Sequence, residues 1–384
     1  MEKKSIKKDQ KRLVYNECLK KGIKLFDHIN ILILCAPCKG FGDVIFATKL
    51  KHYIMDWYNI TADIATTVSK SFVNLGEPAK NIIQLDGKGQ DQCRRFSRLL
   101  PTKSLDGYDL ILVAPLQGDL TVSFADIKHL IPYSNRTNTF IFSEYNDKIT
   151  KNFDINTGIG KGRDGMFFVN TNSQKKDITK FGLKKYAVAY ISGSVDRSHL
   201  CLVRFIQMVI DKYPDLQEIV CQDWAVEISN KYFIAHIKGV DNIYLKTIND
   251  LIVVKNSNSS GRRLTLRCDV LPVANNIMIG IIKYSVADIL ITGDQSLSDV
   301  LSCCAEHKNI FYQIVPWKTD LAKELTKELP NKFLKSSKTS CGCSEAITYK
   351  SDYKNFVKKW DFRTRGKAKI DAMISSVNIL KHTE

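Results

Sequence analysis

Three short segments of this 384-residue chain combine small residues, a charge and the start of a helix. The first is Gly40-Phe41-Gly42-Asp43. It follows an apolar run at residues 29–34 and precedes a stretch with helical spacing. A carboxylate held there by two glycines can take a proton from a bound hydroxyl or amide within hydrogen-bond reach. An Asp in that place also caps a helix, and a carboxylate occupied by backbone amides is a weak base. The second segment is Ser192-Gly193-Ser194-Val195-Asp196-Arg197. Its small and hydroxyl residues before a helix suit phosphate, and Arg197 can add a bidentate contact; a surface arginine is the other reading. The third is Gly293-Asp294-Gln295-Ser296, which closes a buried strand before a helix expected to start near Leu297. Free N–H groups and the helix dipole make such a start an anion site. Asp299, one turn further, can reach a ribose hydroxyl pair. The same residues also read as a capping motif, with Ser296 as N-cap and Asp299 three residues on.

Other patterns are narrowed by what they lack. A dinucleotide fingerprint needs Gly or Ala at position 45, where this chain has Ile45. There is no Walker A sequence, and no D-x-D pair near a strand end, so no metal and no cofactor is expected. Cys35-Ala-Pro-Cys38 has redox spacing, but Lys39-Gly40-Phe41-Gly42 separates it from the helix that would activate a thiolate. Cys303, Cys304, His307, Cys341 and Cys343 lack the paired spacing of a zinc site. The glycine-rich loop 158–165 carries Lys161 and Arg163. It reads either as a substrate contact through Arg163 or, preferably, as an interdomain hinge.

These segments need sheets to hold them. Apolar runs at 29–34, 63–67, 81–85, 110–114 and 139–142 alternate with helical stretches. That pattern implies a mostly parallel sheet covered on both faces. A second set begins near 185, with strands expected at 186–191, 218–221, 233–237, 289–292 and 309–315 and a helix at 198–212. The boundary between the two falls near 175–182, giving domains 1–178 and 179–345 and a basic helical tail, 346–384. The cleft between two such halves is the default site.

Composition sets the bounds. The formal charge of +17 favours anionic partners. Nucleic acid is not expected, because no segment joins a basic stripe to exposed aromatic residues. No apolar run is long enough to span a bilayer. The basic N-terminus has no apolar stretch behind it and is not expected to be a secretory signal. Eleven scattered cysteines fit buried thiols in a reducing, cytoplasmic setting. Arg363, Arg365, Lys367 and Lys369 read as solvent-facing or as contacts to an anionic membrane surface. Met373, Ile374, Val377 and Leu380 have the spacing of a helix docking back on the first domain.

Taken in order, these pieces resemble the two-Rossmann (GT-B) nucleotide-sugar glycosyltransferases. Gly42-Asp43-Val44-Ile45 with Thr48-Lys49-Leu50-Lys51 is similar to the opening of heptosyltransferase-like and protein-arginine rhamnosyltransferase-like families. Leu271-Pro272, Ala287-Asp288-Ile289, the Gly293–Ser296 turn, Asp299 and Ile314-Val315-Pro316 follow the order of the donor-binding half. The sequence departs from that pattern in having Asp299 for the usual donor-loop Glu, and Gln295-Ser296-Leu297 after Asp294. The resemblance implies two Rossmann-like domains facing a central cleft, with a C-terminal helix bridging back. It implies metal-independent, inverting transfer of a sugar from a nucleotide-diphosphate donor to a glycan, lipid or protein acceptor. Asp43 would be the base, with Gly40, Gly42 and Arg163 on the acceptor side. Ser192, Gly193, Ser194, Arg197, Gly293, Asp294, Gln295, Ser296 and Asp299 would hold the donor. A sugar-nucleotide epimerase or hydrolase of the same fold, and a non-catalytic nucleotide-binding protein, remain as alternatives.

Overall fold

The computed structural model describes residues 29–37, 41–87, 96–116, 124–169, 175–192, 198–222, 234–329 and 350–381. The chain divides into two compact units. One runs to Phe167 and resumes at Phe362; the other is Phe168–Asp361.

The first unit holds a six-stranded sheet of β1 (Ile31–Cys35), β2 (Asp63–Thr66), β3 (Ile82–Gly87), β4 (Leu99–Pro101), β5 (Leu110–Leu116) and β6 (Thr139–Ser143). Their spatial order is β4-β3-β2-β1-β5-β6. Every neighbouring pair is parallel except β3 with the short edge strand β4, which the sequence did not signal. All five residues of β1 are buried, as a strand covered on both faces requires. Helix α1 (Gly42–Tyr58) follows β1 and is buried on most sides. Its Lys49 ammonium donates to the Phe167 carbonyl at 3.3 Å, and Lys51 meets Glu77 at 2.5 Å. It ends at Asn59 in the left-handed region, a conformation Asn tolerates.

The glycine-rich loop is no hinge. Gly158 and Gly165 exchange backbone hydrogen bonds of 2.8 and 3.1 Å, and the whole loop lies within the first unit. Four glycines there have positive φ. A side chain at Gly158 would collide with Asn146, whose Oδ1 lies 2.2 Å from where a Cβ would stand.

The tail returns as expected, but its boundary is later than the sequence suggested. After α2 (Ser69–Asn74) and α3 (Phe124–Leu130), the first unit is completed by α9 (Phe362–Arg365) and α10 (Lys367–Lys381), once the second unit is finished. Phe362 donates its amide to Met166 and packs on Phe167 with ring centres 4.4 Å apart. Met373, Ile374 and Val377 are buried. The tail cations have protein partners. Lys369 pairs with Asp164 at 2.7 Å, Lys367 with Asp371 at 2.8 Å, Arg365 donates to the Arg163 carbonyl, and Arg363 lies over Tyr53.

The second unit is a seven-stranded sheet. It contains β7 (Tyr186–Ala189), β8 (Glu218–Cys221), β9 (Asn242–Lys246), β10 (Leu251–Asn256), β11 (Arg263–Arg267), β12 (Asp288–Thr292) and β13 (Asn309–Gln313). The order is β10-β9-β11-β8-β7-β12-β13, with only β9–β10 antiparallel. Its described helices of eight residues or more are α4 (Ser198–Lys212), α5 (Asn275–Tyr284), α6 (Asp294–Cys303), α7 (Thr319–Glu328) and α8 (Lys350–Trp360). Helix α4 matches its expected bounds because Leu202, Phe205, Ile206, Val209 and Ile210 form one buried stripe. Two expectations fail. The strand read at 233–237 is a helical turn at 234–235, and three strands, β9 to β11, were not foreseen.

Cys35, Cys221, Cys268, Cys303 and Cys304 are free thiols. Cys201 is disulfide-bonded, which the reading of isolated thiols did not anticipate. Among the described residues no helix is long and apolar enough to cross a membrane.

Candidate functional site

In open α/β sheets, ligands bind beyond the carboxyl ends of the strands, where the strand order reverses. In the second sheet that point lies between β7 and β12, which pair directly. Two of the segments singled out in the sequence leave the sheet there, Ser192 after β7 and Gly293–Ser296 after β12.

One residue ties the two exits together. Gln313, the last residue of β13, accepts the Ser192 amide on Oε1 at 2.6 Å and donates Nε2 to the Ser192 carbonyl at 3.2 Å. Its own carbonyl accepts the Thr292 hydroxyl at 3.2 Å. Gln222, the residue after β8, grips Ile191 in the same two-handed way, at 3.2 Å for each bond. The backbone leaving β7 is thus held at both polar groups of two successive residues. Neither glutamine was picked out from the sequence. The signal was there only as a polar residue closing each of two apolar strands, EIVCQ and NIFYQ.

Helix α6 starts at Asp294, three residues before the expected position, with Gly293 as its N-cap at φ 78°. The Ser296/Asp299 capping motif is therefore not formed at the helix start. Asp294 Oδ1 instead accepts the amide of Gln295 at 2.9 Å, and Oδ2 pairs with Lys318 at 3.0 Å. Both side chains are buried, at 5 % exposure for Lys318 and 12 % for Asp294. Burial and the negative charge of Asp294 push the Tyr312 hydroxyl well above its ordinary range. Lys318 and Tyr312 were also missed by the sequence reading.

Asp294 is thus committed to holding the helix start. Gln295 and Asp299 are buried, while Gly293 and Ser296 are half-exposed. Nothing lies within 4 Å of where a side chain on Gly293 would begin, so the turn is open on that side. The first turn of a helix directs its unbonded N–H groups outward. Within the turn, exposure remains at Gly293 and Ser296.

In the first sheet the order reverses between β1 and β5. Asp43 lies in the first turn of α1, half-buried, and the N-cap residue, Phe41, makes no side-chain capping bond. The Asp43 carbonyl accepts from Cys35 Sγ at 3.6 Å. Burial and then the charge of Asp43 push the Cys35 thiol well above its usual range. A thiol so shifted is a poor nucleophile, which counts against redox use of this cysteine. Gly42 opens α1 and is exposed.

Arg163 belongs to the framework of the first unit. Its guanidinium donates to the Asp147 carbonyl, and its own carbonyl accepts from Arg365 at 3.1 Å. Gly40, Gly193, Ser194, Arg197 and Cys38 lie outside the described residues. Among the described residues no three His, Cys, Asp or Glu side chains form a group that could hold a metal.

The architecture fits the two-Rossmann (GT-B) class: two units, each a largely parallel sheet flanked by helices. No family model matches the chain. No curated protein matches it either. Among solved structures it is similar to an S. aureus MnaA-UDP co-structure, at 12 % identity over 91 % of each chain with a TM-score of 0.45.

Proposed function

We propose that the protein transfers a sugar from a nucleotide-diphosphate donor to an acceptor, by inversion and without a metal. The observation that carries the reading is the pair of strand exits joined by Gln313. They bring the Ser192 backbone and the open start of α6 to one edge of the second sheet. The diphosphate would lie against the backbone at Gly293 and Ser296 and the Ser296 hydroxyl. Ser192, Gly193, Ser194 and Arg197 would meet it from the β7 side. As the glycosidic bond breaks, the leaving diphosphate gains charge, and donors already fixed in place stabilise that charge. One such donor contributes about 10²–10³ in rate in well-studied enzymes.

Asp43 would act as the base that removes the acceptor proton as the acceptor attacks the anomeric carbon. Asp294 has no role at the phosphates, because Lys318 and the Gln295 amide occupy its carboxylate.

The experiment is a screen of UDP-, GDP-, dTDP- and ADP-sugars by thermal shift. Turnover is then assayed with glycan, lipid and protein acceptors, and Asp43→Asn is compared with the parent. The reading expects one nucleotide class to raise the melting temperature. It expects the substitution to lower transfer by about 10²-fold or more with donor affinity kept. Donor hydrolysed to free sugar without any acceptor product would replace transfer by hydrolysis. Unchanged transfer by Asp43→Asn would remove Asp43 from the mechanism.

A further inference from the structure

Strands covered on both faces read as unbroken apolar runs, and β12 does. β9 and β11 alternate instead. Ile243, Leu245, Leu264 and Leu266 enter the core, while Tyr244, Arg263 and Thr265 stand on the other face, exposed or half-exposed. β10 continues that open face with Leu251 and Val253, 54 % and 55 % exposed, and the turn before it carries Ile248 at 80 %. Of the seven large apolar side chains exposed among the described residues, these three share one hairpin.

A groove of about 770 Å³ lies beside them. Ile248 and Leu251 line it together with Lys184, Lys246, Arg262 and Arg263. Of its three acids, Glu218 pairs with Arg267 at 2.8 Å and Asp215 with Lys185 at 2.5 Å, and Asp250 is exposed in the hairpin turn. Arg263 is exposed, with its guanidinium 4.0 Å over the Tyr244 ring.

β10 is an edge strand, and the common use of an apolar edge is to pair with another strand. This edge is built against it. The register shifts between Val253 and Lys255, a bulge that bends the strand. Lys255 also turns its ammonium back to the carbonyls of Ile237 and Val240, at 2.9 and 2.8 Å. An apolar tip that resists strand pairing, set beside a basic groove on a chain of net charge +17, complements an anionic lipid surface.

We propose that the β9–β10 hairpin and its groove dock on an anionic bilayer. Ile248, Leu251 and Val253 enter the interfacial layer, and Lys184 and Arg263 meet lipid phosphates. This docking does not depend on the nucleotide reading.

The test is co-sedimentation of the full chain with phosphatidylcholine vesicles, with and without phosphatidylserine. Three variants are compared: Ile248→Ser alone, Ile248→Ser with Leu251→Ser, and Lys184→Glu with Arg263→Glu. All four side chains are exposed, and unchanged melting temperatures confirm the fold. The parent should sediment with the phosphatidylserine vesicles, less so at high salt, and not with phosphatidylcholine alone. Each double variant should lower the partition coefficient about tenfold or more, and Ile248→Ser should fall between. Binding that persists in the double variants would place the contact on another basic segment and overturn the proposal. So would absence of binding by the parent. A self-associated parent that Ile248→Ser with Leu251→Ser makes monomeric, with no change at vesicles, would assign the hairpin to a second copy.

Discussion

Lys318 Nζ stands 3.0 Å from Asp294 Oδ2 at the first residue of α6, and both groups are buried. Removing one partner takes the ion pair away from the other buried charge, a loss of about 3–5 kcal/mol. Asp294→Ala and Lys318→Met should each destabilise the second unit by about that much. The double variant should lose less than the sum, because the ion pair can be lost only once. Urea unfolding of the four proteins measures this directly. Additive losses would mean that the two groups do not act as a pair.

Lys308 supplies the pH dependence. Its ammonium caps the end of α5, donating to the Ser285 and Val286 carbonyls at 2.7 and 2.9 Å. Burial lowers its pKa from 10.5 to about 8. Between those values the unfolded chain binds the proton more firmly than the folded one, so stability rises with pH across that window. Below about pH 8 both states carry the proton and the penalty is constant. Lys308→Met removes this term, so the stability difference, parent minus variant, should grow from pH 8 towards 10. A flat difference over that range would contradict the shift. Cys304, which burial pushes up to about 12, acts in the opposite direction and interacts with Lys308, so the same comparison is made in a Cys304→Ala background.

Gly158 tests the account of the glycine loop. Its φ is 114°, and a Cβ would stand 2.2 Å from Asn146 Oδ1 and 2.6 Å from the Asn146 amide nitrogen. Gly158→Ala should cost about 3 kcal/mol, strain and collision together. Gly182→Ala serves as the control. That residue also has positive φ, 58°, but nothing within 4 Å, so about 1 kcal/mol is expected. Equal losses at the two positions, by thermal or urea unfolding, would show that the loop does not close tightly on Asn146.

The sequence was readable where one local pattern dominates. The strand–glycine–helix segments at β1–α1 and β12–α6 stood out, because buried apolar runs are followed by glycine and then by helical spacing. Helix α4 was placed to the residue by its stripe. β9 to β11 were missed because their alternation resembles a solvated surface. The apolar run at 233–237 was misread because so short a run does not separate strand from helix. The start of α6 was misplaced because Asp294 is fixed by Lys318, twenty-four residues away, and local sequence carries no trace of that pairing. Gln222 and Gln313 carry only the weak signal of a polar residue closing an apolar strand, since their value lies in gripping a strand exit that only the sheet order brings near.

Ser296 offers the most direct test of the claim that the β7 and β12 exits hold a nucleotide diphosphate. Ser296→Asp places a negative charge in the first turn of α6, which suits the helix dipole and should leave the fold intact. Titration calorimetry with the nucleoside diphosphate selected by the thermal-shift screen should show affinity falling at least tenfold, about 1.4 kcal/mol, with the melting temperature of the free protein unchanged or higher. Equal affinity in the parent and in Ser296→Asp, or no nucleoside diphosphate bound by the parent at all, would contradict the account.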